Sequence, residues 1–149
     1  RDKTSFLVKD SCSVGDCETS KTREIISLKR GMIVIMKLDE KLKNQLIERL
    51  KSLNPEKVIL FGSYAYGEPS KDSDIDLIVV TDDDIMPSNF DEKMQFYLKV
   101  SNVLTDIQRE IPIDLIVHTK PMHKRFIELN SMFYREIAEK GIVIYERNN

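Results

Sequence analysis

The sequence contains no apolar run near the roughly 18 residues that a membrane-spanning helix requires. Its opening, Arg1–Asp10, has neither the charged start nor the apolar core of a secretory signal, so a cytoplasmic protein is the expectation. Cysteine is scarce, with two residues, Cys12 and Cys17. Their C-x4-C spacing offers two ligands where a structural zinc wants about four, and free thiols are expected in the absence of an export signal. There is no basic block either. Lys and Arg number 23 against 25 Asp and Glu, a formal net charge of -2. Non-specific grip on a nucleic-acid backbone relies on clustered cations, so direct nucleic-acid binding is not expected. A bound nucleotide remains compatible, because a metal ion can neutralise its phosphates. The G-x-x-x-x-G-K-[ST] pattern is also missing, which argues against a P-loop kinase or ATPase.

What is present suits a globular chain. It has 149 residues, 41% hydrophobic and 32% charged, enough for one domain with a real core. Residues 1–35 differ from the rest, carrying Ser, Thr and both cysteines with little periodicity until "REIISLKRGMIVIM". This part has seven Lys/Arg and five Asp/Glu, a charge of +2, which leaves -4 for residues 36–149. Two readings of it stand side by side. Either the leader is an extension and the native start is Met32 or Met36, or it is an N-terminal arm in which Met32–Met36 forms an edge strand.

From Asp39 the patterns sharpen. Leu42, Leu46, Leu50 and Leu53 recur at helical spacing, with Asp39 as N-cap and Asn54-Pro55 as the stop. "KVILF" (Lys57–Phe61) and "DIDLIVV" (Asp74–Val80) read as buried strands. Asp82–Asp84 reads as solvated loop. Ser88 and Asp91 resemble a capping box opening a helix to about Arg109, with Met94, Tyr97, Ser101 and Leu104 on one face. "IPIDLIV" (Ile111–Val117) is a third strand. Pro121 opens a helical region with Phe126, Leu129, Phe133 and Ile137 facing inward, Gly141 ends it, and "IVIYE" is a last strand. The order predicts an α/β (α+β) fold with a mixed sheet of about four strands, covered by helices mainly on one face.

Within this frame one stretch, "FGSYAYGEPSKDSDIDLIVV" (Phe61–Val80), concentrates the chemistry. Alternation along a strand sends Asp74 and Asp76 to one side and Ile75, Leu77 and Val79 to the other. Two unpaired carboxylates would repel, and a divalent cation resolves the conflict. All-oxygen ligation suits Mg²⁺, which accepts substrate phosphates into its shell. Asp114 lies between Ile113 and Leu115 in the third strand, where a lone carboxylate is costly. If that strand neighbours Asp74–Val80, three acids converge and could hold two metal ions, Mn²⁺ being the alternative to Mg²⁺. Gly62 lets the backbone approach a ligand closely, and Ser63 adds a hydroxyl for phosphate.

Gly62-Ser63, ten intervening residues, Asp74-x-Asp76 and a later strand Asp at 114 together resemble the DNA polymerase β-like nucleotidyltransferase superfamily. The short chain resembles its minimal nucleotidyltransferase (MNT) branch. The resemblance spans roughly Leu38–Glu146. It implies a polymerase β-like fold and a metal-dependent transfer of a nucleoside monophosphate, AMP from ATP, to a hydroxyl. Gly62 and Ser63 would bind the nucleotide, while Asp74, Asp76 and Asp114 would be catalytic and hold the metal. It further implies a small helical HEPN-type protein as partner, as in MNT/HEPN toxin–antitoxin pairs, in which the MNT protein can act as the antitoxin. Two alternatives stay open: a small-molecule nucleotidyltransferase of the aminoglycoside type, and a non-catalytic partner-binding module. An oligomer is compatible with all of them.

Other polar and aromatic residues have plainer readings. Asp72 is structural, Lys71 an exposed loop lysine, and His118 and His123 surface or capping residues. Tyr64 and Tyr66 pack beside the turn, and Phe126, Phe133 and Tyr134 are mostly core.

Overall fold

The computed structural model describes residues 38–67 and 69–148. The leader, both cysteines and the Met32–Met36 strand expected at its end lie outside the described residues. The elements run α1 (Glu40–Lys51), β1 (Lys57–Phe61), α2 (Ser63–Tyr66), β2 (Ile75–Val80), α3 (Phe90–Gln108), β3 (Ile113–His118), α4 (Lys120–Glu128), α5 (Met132–Lys140) and β4 (Ile142–Glu146). The four strands form one mixed sheet in the order β3-β2-β1-β4. β1 is antiparallel to both β2 and β4, whereas β2 and β3 run parallel, joined by α3. That crossover is what a parallel pair requires, since a tight hairpin cannot return the chain in the same direction.

β2 is central and buried on both faces, which explains its unbroken apolar run. On one face Ile75, Leu77 and Val79 join Val58, Leu60, Leu115 and Val117 beneath α1 and α3. Leu46, Leu50, Val100 and Leu104 enter this layer fully buried, each large side chain contributing about 1.5–3 kcal/mol. On the other face Ile59, Phe61, Ile78 and Val80 meet Ile137 of α5, with Phe126 of α4 and Ile116 alongside. Helices therefore cover both faces, not mainly one.

Several local expectations are corrected. The α3 N-cap is Asn89, whose side chain accepts from the Glu92 N–H at 2.9 Å, while the Glu92 carboxylate accepts from the Ser88 N–H at 2.8 Å. The box is shifted one residue from Ser88/Asp91, because Asn caps as well as Ser and Glu reaches back better than Asp. The buried stripe of α3 runs through Val100 and Leu104. The region after Pro121 is two helices, since Asn130 adopts a left-handed φ of 46° between them. The break turns Leu129 outward at 65% exposure, leaves Phe133 43% exposed although one edge of it packs on Phe61 and Phe126, and keeps Ile137 buried. Asp82 is not a merely solvated acid. Arg147 grips it through two contacts of 2.7 Å, and Lys120 adds a third at 2.7 Å, holding its carboxyl well below the usual range.

Candidate functional site

The site is assembled where β1 ends and β2 and β3 begin. β1 delivers Gly62 directly after Phe61, at φ 71° and ψ -160°. α2 follows at once, starting at Ser63. The Ala65 and Tyr66 N–H groups donate to the Gly62 carbonyl at 3.0 and 2.9 Å, and that of Gly67 donates to Ser63 at 3.0 Å. The N–H groups of Ser63 and Tyr64 take no part in this internal pairing. The turn is thus a small cradle of backbone donors and one hydroxyl, suited to phosphate oxygens.

A second turn presents the acids. Ser70 and Ser73 close it through an N–H to hydroxyl bond of 2.7 Å and a hydroxyl pair at 3.0 Å. Asp74 leaves this turn exposed, one residue ahead of β2. The Ile75 N–H then donates to the Pro112 carbonyl at 2.9 Å, which fixes the register between β2 and β3.

That register decides the chemistry. Asp76 is the direct partner of Asp114 across the parallel pair and of Phe61 across the antiparallel one. Strands sit about 4.8 Å apart, so Asp76 and Asp114 are side by side on one face of the sheet. Burial, then the Asp114 and Asp74 carboxylates, push the Asp76 carboxyl above its ordinary range. Among the described residues none of these three acids has an ion-pair partner, in contrast to Asp82. Gly62 closes the arrangement from the other side. A Cβ there would overlap the Asp76 carboxylate, so the turn and the central acid are in direct contact.

The fit to a divalent cation can be judged from this donor set. It consists of accessible carboxylate oxygens, mutually repelling and beside a phosphate cradle, and suits a hard ion shared with phosphate. Among the described residues no three His, Cys, Asp or Glu side chains are already gathered as a metal cage. A Mg²⁺-type site needs no such cage, because one or two carboxylates with phosphates and water suffice. Asp74, Asp76 and Asp114 are the residues that could hold it.

The sequence of this chain matches the family described as polymerase beta, nucleotidyltransferase, over residues 44–149. The chain belongs to that family. Nucleotidyl transfer is the activity this membership carries, and the mixed sheet with its flanking helices is the fold of the family. A Methanocaldococcus jannaschii protein named "Putative protein adenylyltransferase" is 31% identical over 110 residues, covering 72% of this chain and 98% of that protein. A solved structure described as "a putative nucleotidyltransferase from Sulfolobus solfataricus" has a TM-score of 0.48 at 22% identity, over 79% of this chain and 86% of that one. A toxin–antitoxin structure with AMP-PNP has a TM-score of 0.45 at 17% identity, over 71% of this chain and 74% of that one. The assignment rests on the family match and the archaeal relative, to which these two weak likenesses add nothing.

All five site residues singled out from the sequence, Gly62, Ser63, Asp74, Asp76 and Asp114, are brought to this one corner of the domain. The histidines are not. His118 and His123 lie at the far end of β3, half-buried against Phe126, with their Nδ1 atoms 3.3 Å apart. They are packed rather than surface residues, because His118 shares the sheet face of Asp114 and Ile116 and α4 closes over it. Missed by sequence reasoning is the wall of the site. Phe133 of α5 packs edge-on to Phe61 at 5.6 Å, and Lys140 sits over the Tyr66 ring at 5.3 Å. No motif marks these residues. They reach the site only because β4 pairs with β1 and draws the end of α5 alongside.

Proposed function

We propose that this domain transfers AMP from ATP to a hydroxyl on another protein in the cytoplasm, with Mg²⁺ as its metal. The observation that supports this best is the contact between the Gly62-Ser63 turn and Asp76, with Asp114 in matched register beside it. Gly62 and Ser63 would grip the triphosphate through backbone N–H groups and the hydroxyl. Asp74 and Asp76 would hold the ion that travels with the nucleotide, and Asp114 would complete the metal site towards the incoming hydroxyl. When bound, the metal supplies charge stabilisation at phosphorus and at the attacking and leaving oxygens. The chain's own contribution is placement, since a fixed acid pair beside a fixed phosphate turn sets the orientation of the reacting groups.

A protein acceptor is favoured by the Methanocaldococcus jannaschii relative, which matches along almost its whole length and bears the name "Putative protein adenylyltransferase". The resemblance to the minimal branch makes a small helical HEPN-type protein the partner to try first, with this domain as its antitoxin. The test is α-labelled ATP and Mg²⁺, given with such a partner and with whole lysate. Label on a protein hydroxyl, with unlabelled pyrophosphate released, is the expected result. Label confined to a small molecule, or none despite complex formation, would overturn the reading.

A further inference from the structure

Lys140 has no role in the reading above, and its position gives it one. It is the last residue of α5, and the next residues pair antiparallel with β1, Ile142 opposite Leu60. The end of α5 is therefore carried to the end of β1, where the Gly62-Ser63 turn begins. The Lys140 ammonium lies 5.3 Å from the centre of the Tyr66 ring, and Tyr66 closes α2, three residues after Ser63. Tyr66 is tied to the turn directly, its N–H donating to the Gly62 carbonyl at 2.9 Å. Among the described residues Lys140 forms no ion pair, and its side chain is exposed. An exposed cation resting on a ring at the surface is weakly held. A phosphate oxygen within reach of the same flexible stem binds it more strongly, through a charge-assisted hydrogen bond.

We propose that Lys140 is a triphosphate-binding residue of this site, its ammonium moving from the Tyr66 ring to the terminal phosphates of a nucleotide held at Gly62-Ser63. The proposal rests on the nucleotide reading of the turn. It deepens that reading by bringing in α5, an element remote in sequence from the motif. In transfer, the same contact would stay with the departing pyrophosphate, whose extra negative charge is balanced by a fixed cation. The acceptor hydroxyl oxygen bonds to the α-phosphorus as the bond from that phosphorus to the bridging oxygen breaks; the hydroxyl proton leaves to solvent, the bridging oxygen departs in pyrophosphate, and Lys140 takes no proton in the step.

The experiment is calorimetric titration of the full chain with ATP, ADP and AMP in Mg²⁺. Lys140→Ala should weaken ATP about tenfold, the scale of one lost charge-assisted contact. AMP should change by less than about twofold and Lys140→Arg should stay near wild type, since the charge is retained. Lys140→Met, which keeps the aliphatic stem, should repeat the alanine result if that variant melts early. Unchanged ATP affinity in both neutral variants, or an equal loss for ATP and AMP, would overturn the proposal. A wild-type chain that binds none of the three nucleotides would instead overturn the reading of the Gly62-Ser63 turn, and this proposal with it.

Discussion

Replacing Gly62 by alanine tests the centre of the site, because two separate penalties meet there. The first is backbone strain. At φ 71° and ψ -160° the residue occupies a region that is essentially glycine-only, and holding a side chain there costs about 1–3 kcal/mol. The second is steric. The new methyl would overlap the Asp76 carboxylate, which is the flexible end of a side chain and can swing away. Swinging away takes it out of register with Asp114. The first penalty lowers stability; the second lowers function. For a domain of this size the strain corresponds to a fall in melting temperature of about 5–15 °C. Gly67→Ala is the matched comparison. Gly67 also has a left-handed φ of 85°, but a Cβ there meets nothing within 4 Å. Its cost is strain alone, about 1–2 kcal/mol. Thermal melts and calorimetric titration with Mg²⁺–ATP should then show both variants destabilised, but only Gly62→Ala binding nucleotide at least about tenfold more weakly. If Gly62→Ala and Gly67→Ala bind Mg²⁺–ATP equally well, the contact between turn and acid does not matter, and the site is wrongly centred.

Asp76→Asn should weaken Mg²⁺–ATP binding yet hold or raise the melting temperature, because it relieves repulsion from Asp114 and Asp74; a clear drop in stability would mean the carboxylate is structural. Asp114→Asn should keep nucleotide affinity within a few-fold while transfer falls by about 10²–10⁴, and wild-type transfer would exclude the residue from the reaction. The histidine contribution to stability should be flat above about pH 7 and fall between about pH 6.5 and pH 4. Burial, then His123 and Lys93, lower the His118 imidazole to about 4, while burial and Lys57 lower His123, so the unfolded chain takes up protons first as the pH falls. The decline due to His118 is at most about 3 kcal/mol, and a His118→Gln variant that keeps it in chemical denaturation would refute the assignment. Asn89→Ala should cost about 0.5–2 kcal/mol through loss of the α3 cap, and an unchanged unfolding midpoint would place the helix start elsewhere.

The strands were legible because burial on both faces writes itself as an unbroken apolar run, as in Leu77–Val80. The acids were legible because they interrupt such runs: Asp76 and Asp114 each stand between apolar neighbours, and Asp76 is half-buried there without an ion-pair partner among the described residues, although Asp114 proves to be exposed on the edge strand. The α4–α5 break was not legible. A left-handed Asn130 costs little, and the periodicity of Phe126, Leu129, Phe133 and Ile137 continues across it as though one helix ran through. The role of Asp82 was hidden for a similar reason, since Arg147, its partner, is 65 residues away.

The sequence alone determined the types of side chain at the site and the face each strand would present, because alternation is a property of the extended backbone itself. It could not determine which strands are neighbours. Asp76 lies beside Asp114, and Lys140 beside the Gly62-Ser63 turn, only through the order β3-β2-β1-β4. That order is set by long-range pairing and by the core between sheet and helices, which no local stretch encodes.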